Sequence, residues 1–138
     1  MTVPARLILV HKQGTSARTL FLRFKSGVVA PEPLPALAQV VDEGGAGDVV
    51  VHPAALFAQV AASLGLDAGD IELESDFSAD VDTPGGIVPV YLGRMTTIDA
   101  PLEAAERVGA RFIAITEARD LSPVELELLR RAYTCVME

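Results

Sequence analysis

The stretch Pro53–Leu64 (PAALFAQVAASL) carries no charged side chain, and it constrains the fold more than any other segment. Proline at the first turn and Gly65 just past the end are the start and stop signals of a helix. Leu56, Phe57, Val60 and Leu64 form an apolar face. The other residues are small or uncharged, so this helix is expected to be covered on more than one side.

The remaining chain reads mostly as short strands. Residues 6–11 (RLILVH) are an apolar run of the kind that makes a buried strand. Turn residues follow at Gln13-Gly14-Thr15-Ser16. Residues 19–25 then alternate, with Leu20, Leu22 and Phe24 set against Phe21, Arg23 and Lys25, so the two runs are expected to form a hairpin. Residues 36–43 read as a short helix ended by Gly44, and residues 48–51 (DVVV) as a short strand. Residues 70–77 (DIELESDF) alternate again, with Asp70, Glu72, Glu74 and Asp76 on one side. Thr83-Pro84-Gly85-Gly86 is a turn, and residues 87–98 are the next strand. Asp99 caps a short helix through Val108, stopped by Gly109, and residues 111–116 (RFIAIT) form a last strand. Ser122-Pro123-Val124-Glu125 is a capping box with proline in the first helical position. Its helix runs to about Val136, burying Leu128, Leu129, Ala132, Tyr133 and Val136. The expected fold is α+β: a single domain over residues 1–138, with a mixed sheet and two main helices.

Charge narrows the function classes. The 138 residues carry 11 Lys+Arg against 19 Asp+Glu, a formal charge of −8. A chain this acidic is a poor match for nucleic acid or for an anionic lipid surface. The distribution is uneven: five basic residues and no acid precede Ser26, and no Lys or Arg occurs from Ser26 to Gly93. No segment approaches the ~18 apolar residues of a membrane span, and no secretory leader is recognisable at the start. The expectation is a cytoplasmic protein. The single cysteine, Cys135, excludes an intramolecular disulfide.

Most catalytic chemistry is missing. Cys135 sits in the last turn of an amphipathic helix, the setting of a structural thiol. Neither histidine lies in a nucleophile motif: His11 is at a strand end and His52 precedes Pro53 as a helix cap or loop residue. Gly44-Gly45-Ala46-Gly47-Asp48 lacks the lysine and hydroxyl of a P-loop. No cofactor is implied. The weak metal candidates are Glu72, Glu74 and Asp76. Neighbouring ligands on one strand face sit about 7 Å apart, so one strand cannot wrap a cation. Their reading is a solvated strand face whose repulsion a basic neighbour relieves, with the Arg23/Lys25 strand as one candidate. Arg23, Tyr91 and Arg94 are the candidate ligand-binding side chains, as polar groups on predicted strands.

The order of elements resembles that of a Nudix domain. The opening hairpin (ARLILVH … TLFLRF), the run PAALFAQVAASLGLDAGDIELESDF, the strand VPVYLGRM and the close GARFIAITEARDLSPVELELLRRAY are similar to successive parts of that family. The resemblance implies magnesium-assisted diphosphate hydrolysis, with glutamates of one helix holding the metal and the attacking water. When the family's box is anchored on Gly65 and Leu66, its arginine falls on Ala58 and the next glutamate on Gln59. Its paired glutamates fall on Ala62 and Ser63, its first glutamate on Val50 and its first glycine on Gly44. The glycines and the apolar positions Val60 and Leu66 are kept, while every carboxylate and the arginine are absent. Without them the electrostatics of that reaction are lost.

Three readings follow. The first is a non-catalytic, Nudix-like ligand-binding or regulatory module acting on a small molecule. The second is a hydrolase of a nucleoside diphosphate-type substrate with relocated carboxylates, Glu72, Glu74 or Asp76 meeting Asp42, Glu43 or Asp48. The third is a homodimeric structural or interaction protein, suggested by the uncharged helix and a mean hydropathy of +0.36.

Overall fold

Residues 5–12, 19–25, 27–30, 34, 37–41, 53–74, 77, 79–84, 86–97 and 100–137 are described by the computed structural model. Along the chain these give β1 (Arg6–Lys12), β2 (Thr19–Arg23), β3 (Val29–Ala30), β4 (Gln39–Val41), α1 (Pro53–Leu64), β5 (Ile71–Leu73), β6 (Ala79–Thr83), β7 (Gly86–Met95), α2 (Leu102–Arg107), β8 (Arg111–Ile113) and α3 (Pro123–Met137). Single 3-10 turns occupy Ala68–Asp70 and Ile115–Glu117.

All eight strands join one mixed sheet, ordered β4-β6-β7-β1-β2-β8, with β3 paired to β1 and β5 paired to β7. The centre is the parallel pair β1–β7, in register from Arg6 opposite Val90 to Val10 opposite Arg94. Every other pairing is antiparallel, including the expected β1–β2 hairpin. Because β1 is central, both its faces are covered, which is why its sequence is a continuous apolar run. Ile8 and Val10 join Phe21, Val88, Val90 and Leu92 under Leu128, Leu129 and Ala132 of α3. Leu7 and Leu9 point the other way, to Leu56, Phe57, Val60 and Leu64 of α1 and Ala105 of α2. The fold is therefore a single α+β domain with helices on both faces of one sheet.

Several sequence expectations are corrected. The helix expected over 36–43 is, in its described part, strand β4, with Gln39–Val41 paired to Asp80–Asp82. Ala and Leu favour helix, but β-branched Val40 packs against the α3-side core and pairing decides the outcome. Strand β6 is masked in the sequence by its aspartates, although Ala79, Val81 and Thr83 are buried and alternate with Asp80 and Asp82. The acidic strand is regular only over Ile71–Leu73. The strand expected to reach Ile98 stops at Met95, and the one expected to reach Thr116 stops at Ile113. Helix α1 is covered on one side only, since Ala54, Ala55, Ala58, Gln59, Ala62 and Ser63 are exposed. The strand expected at 48–51 lies outside the described residues.

Candidate functional site

The three expected ligand-binding side chains do not converge. Tyr91 and Arg94 are three residues apart on β7 and therefore face opposite sides of the sheet. Tyr91 is half-buried against the α1-side core. Arg94 sits opposite Glu72 across the β5–β7 pair, and its guanidinium reaches Glu72 at 3.5 Å and Glu74 at 3.6 Å. Arg94 thus relieves the acidic strand face, a role expected of the Arg23/Lys25 strand. Asp76, and the acids Asp42, Glu43 and Asp48 that would meet it, lie outside the described residues. Among the described residues no three His, Cys, Asp or Glu side chains gather closely enough to hold a metal ion.

Arg23 is placed differently. Strand β2 runs antiparallel to β8 in a register that sets Arg23 directly opposite Arg111. Two like charges so placed repel. Asp120 answers one of them: Arg23 Nη1 donates to Oδ1 at 2.7 Å and Nη2 to Oδ2 at 2.6 Å, a bidentate clasp. The hydrogen bonds from Arg23 hold the Asp120 carboxyl down at about 2, and Asp120 in turn raises Arg23. The charge of Arg111 also lowers Asp120.

Beyond the last ladder pair, a groove of about 400 Å³ lies between residues 23–25 and 109–111. Its lining is Arg23, Phe24 and Lys25 from one segment, Gly109, Ala110 and Arg111 from the other, and Glu106 of α2. Gly109 ends α2 at φ +71°, and a Cβ there would strike the Lys25 side chain. The glycine thereby both stops the helix and lets the lysine lie across it. Lys25 and Arg111 are exposed, and neither has an ion-pair partner among the described residues. One cation of three is neutralised in place, and two face solvent from the same groove. The sequence pairs Lys25 only with Arg23 on one strand and does not connect it to Arg111, because the two are 86 residues apart and only the β2–β8 register joins them.

His11 is fully buried, and its Nε2 donates to the Thr97 carbonyl at 2.9 Å. Its Nδ1 has no hydrogen-bond partner among the described residues. His52 lies outside them. Cys135 is half-buried and packs against the α3-side core. The positions that the Nudix box would give to its arginine and three of its glutamates, Ala58, Gln59, Ala62 and Ser63, all lie on the exposed side of α1. Val60 is buried and Leu66 half-buried against the sheet. Val50 and Gly44 lie outside the described residues. No helix among the described residues is long and apolar enough to cross a membrane.

A scan against protein-family models gives no match, and a search of curated proteins finds no significant relative.

Proposed function

We propose that this chain is a non-catalytic, Nudix-like binding module that takes a small anionic ligand in the groove between Arg23–Phe24–Lys25 and Gly109–Ala110–Arg111. One observation carries the reading: in a chain of net charge −8, three cations and one acid, Glu106, line a single groove, and among the described residues only Arg23 of the three cations has an ion-pair partner. An oxyanion entering there gains hydrogen bonds from Lys25 and Arg111 and relieves the repulsion between Arg23 and Arg111. Phe24, half-buried on the wall, offers an apolar surface to whatever carries the anion. The Nudix-like part of the reading rests on the order of elements and on the packing of the apolar box positions Val60 and Leu66 against the α1-side core. Its non-catalytic part rests on α1, which lacks the carboxylates that would hold magnesium.

Isothermal titration with ADP, with and without magnesium and with phosphate release followed in parallel, tests the reading. Binding that needs no magnesium and yields no phosphate is expected. Measurable diphosphate hydrolysis overturns it in favour of a hydrolase with relocated carboxylates.

A homodimer is the second reading, favoured by the uncharged outward side of α1 (Ala54, Ala58, Ala62). Light scattering that reports a monomer at millimolar concentration ends it.

A further inference from the structure

A second pocket lies on the α3 side of the sheet and shares no residue with the groove above. It measures about 420 Å³ and is lined by Ile115, Thr116, Arg119, Leu126 and Arg130. Ile115 and Leu126 are half-buried and pack on the α3-side core, so they make an apolar floor. Arg119, Arg130 and Thr116 are exposed and stand around it.

Among the described residues, the four acids nearest these two arginines in sequence have other partners. Glu117 turns back to accept the Ala114 N–H at 2.8 Å. Asp120 is clasped by Arg23. Glu125 is buried and accepts the Val28 N–H at 2.7 Å. Glu127, three residues before Arg130 and within its reach on the helix, instead accepts from Arg131 Nε at 2.9 Å. Neither Arg119 nor Arg130 has an ion-pair partner among the described residues.

The backbone that presents them is fixed. Ala118 and Leu121 are buried on either side of Arg119, and Asp120 is held by its clasp. Leu126 and Arg130 are four apart on α3, so the charge stands over the apolar floor on one helix face. Two arginines beside an aliphatic floor, with no carboxylate on the lining among the described residues, select for both charge and apolar bulk.

We propose that this pocket binds a small amphipathic anion, an oxyanion carried on a short hydrocarbon body, with Arg119 and Arg130 holding the oxyanion and Ile115 and Leu126 holding the body.

Amide chemical-shift titration of the full chain tests it, using hexanoate and hexyl phosphate as probes, with acetate and hexanol as the charge-only and body-only controls. Saturable shifts at Ile115, Thr116 and Leu126 are expected from an amphipathic probe at concentrations where acetate and hexanol leave them in place. Arg119→Gln and Arg130→Gln should each weaken binding about tenfold, the loss of one charge-assisted contact. Arg107→Gln, which removes the same charge from the α1 side of the sheet, should leave it within about twofold, a change below 0.5 kcal/mol on the same scale. The proposal is overturned by an absence of saturable shifts at those amides with both amphipathic probes. It is equally overturned if acetate and hexanol match them, or if the Arg119→Gln/Arg130→Gln double variant, with its remaining spectrum superimposable, binds as tightly as the parent. ADP binding in the Arg23–Arg111 groove is unaffected by these outcomes.

Discussion

The buried carboxylate of Glu125 accepts a hydrogen bond from the backbone N–H of Val28 at 2.7 Å, and so ties the first turn of α3 to the chain just before β3. Its other oxygen receives the Ser122 hydroxyl at 3.2 Å, while the Glu125 N–H donates to Ser122 Oγ at 3.4 Å. The capping box expected from the sequence is therefore half-used: the serine caps, and the glutamate accepts from the Ser122 hydroxyl and the Val28 N–H instead of the cap residue's backbone N–H. Glu125→Ala leaves the Val28 N–H buried without an acceptor. We predict a loss of about 1–3 kcal/mol in urea unfolding. Glu125→Gln keeps an acceptor and should lose less.

Gly27 bears on the same carboxylate. It adopts φ +140°, and a Cβ there would overlap the Glu125 side chain. Gly27→Ala thus combines backbone strain with a clash and should cost roughly 1–3 kcal/mol. Because the clash requires Glu125, the double variant Gly27→Ala/Glu125→Ala should be less destabilised than the sum of the two single changes. Strict additivity in a double-mutant cycle would show that the two residues do not meet.

The Arg23–Asp120 clasp sets a pH signature. The folded-state carboxyl of Asp120 lies at about 2, below its ordinary 3.8. A depressed carboxyl contributes stability above the unfolded value and loses it as pH falls through the folded one. The contribution is thus complete at neutral pH and disappears between about pH 4 and pH 2. We predict that NMR titration finds the Asp120 midpoint near 2, and that Arg23→Gln returns it toward 3.8.

The exposed side of α1 should accept carboxylates. Gln59→Glu, Ala62→Glu and Ser63→Glu all fall at solvent-facing positions. Each should change stability by no more than about 0.5 kcal/mol in thermal or urea unfolding. By contrast Leu128→Ala, at a fully buried position between α3 and the sheet, should cost about 2–5 kcal/mol.

Elements whose burial and local chemistry agree were legible in the sequence. β1 reads as apolar because both its faces are covered. α1 is bounded by Pro53 and Gly65, and α3 opens on Ser122. Elements decided by distant pairing were not. β4 carries helix-favouring neighbours and β6 carries aspartates, so β4 is a strand through its pairing with β6, and β6 through its pairing with β4 and β7. The site divides the same way. Arg23 and Lys25 could be named as polar residues of one run, but Arg111 and Asp120 come to them only through the β2–β8 register and the chain that follows it. Arg94 looked equivalent to Arg23 until β5 placed Glu72 and Glu74 against it.

Binding of pyrophosphate, measured by isothermal titration in low salt without metal, tests the anion groove most directly. The parent chain should bind with a defined stoichiometry of one at this groove. Lys25→Gln/Arg111→Gln, which removes the two unneutralised cations and leaves the Arg23–Asp120 clasp in place, should weaken that binding at least about tenfold at unchanged melting temperature. Pyrophosphate binding that is equally tight in the double variant, or absent from the parent, would contradict the account.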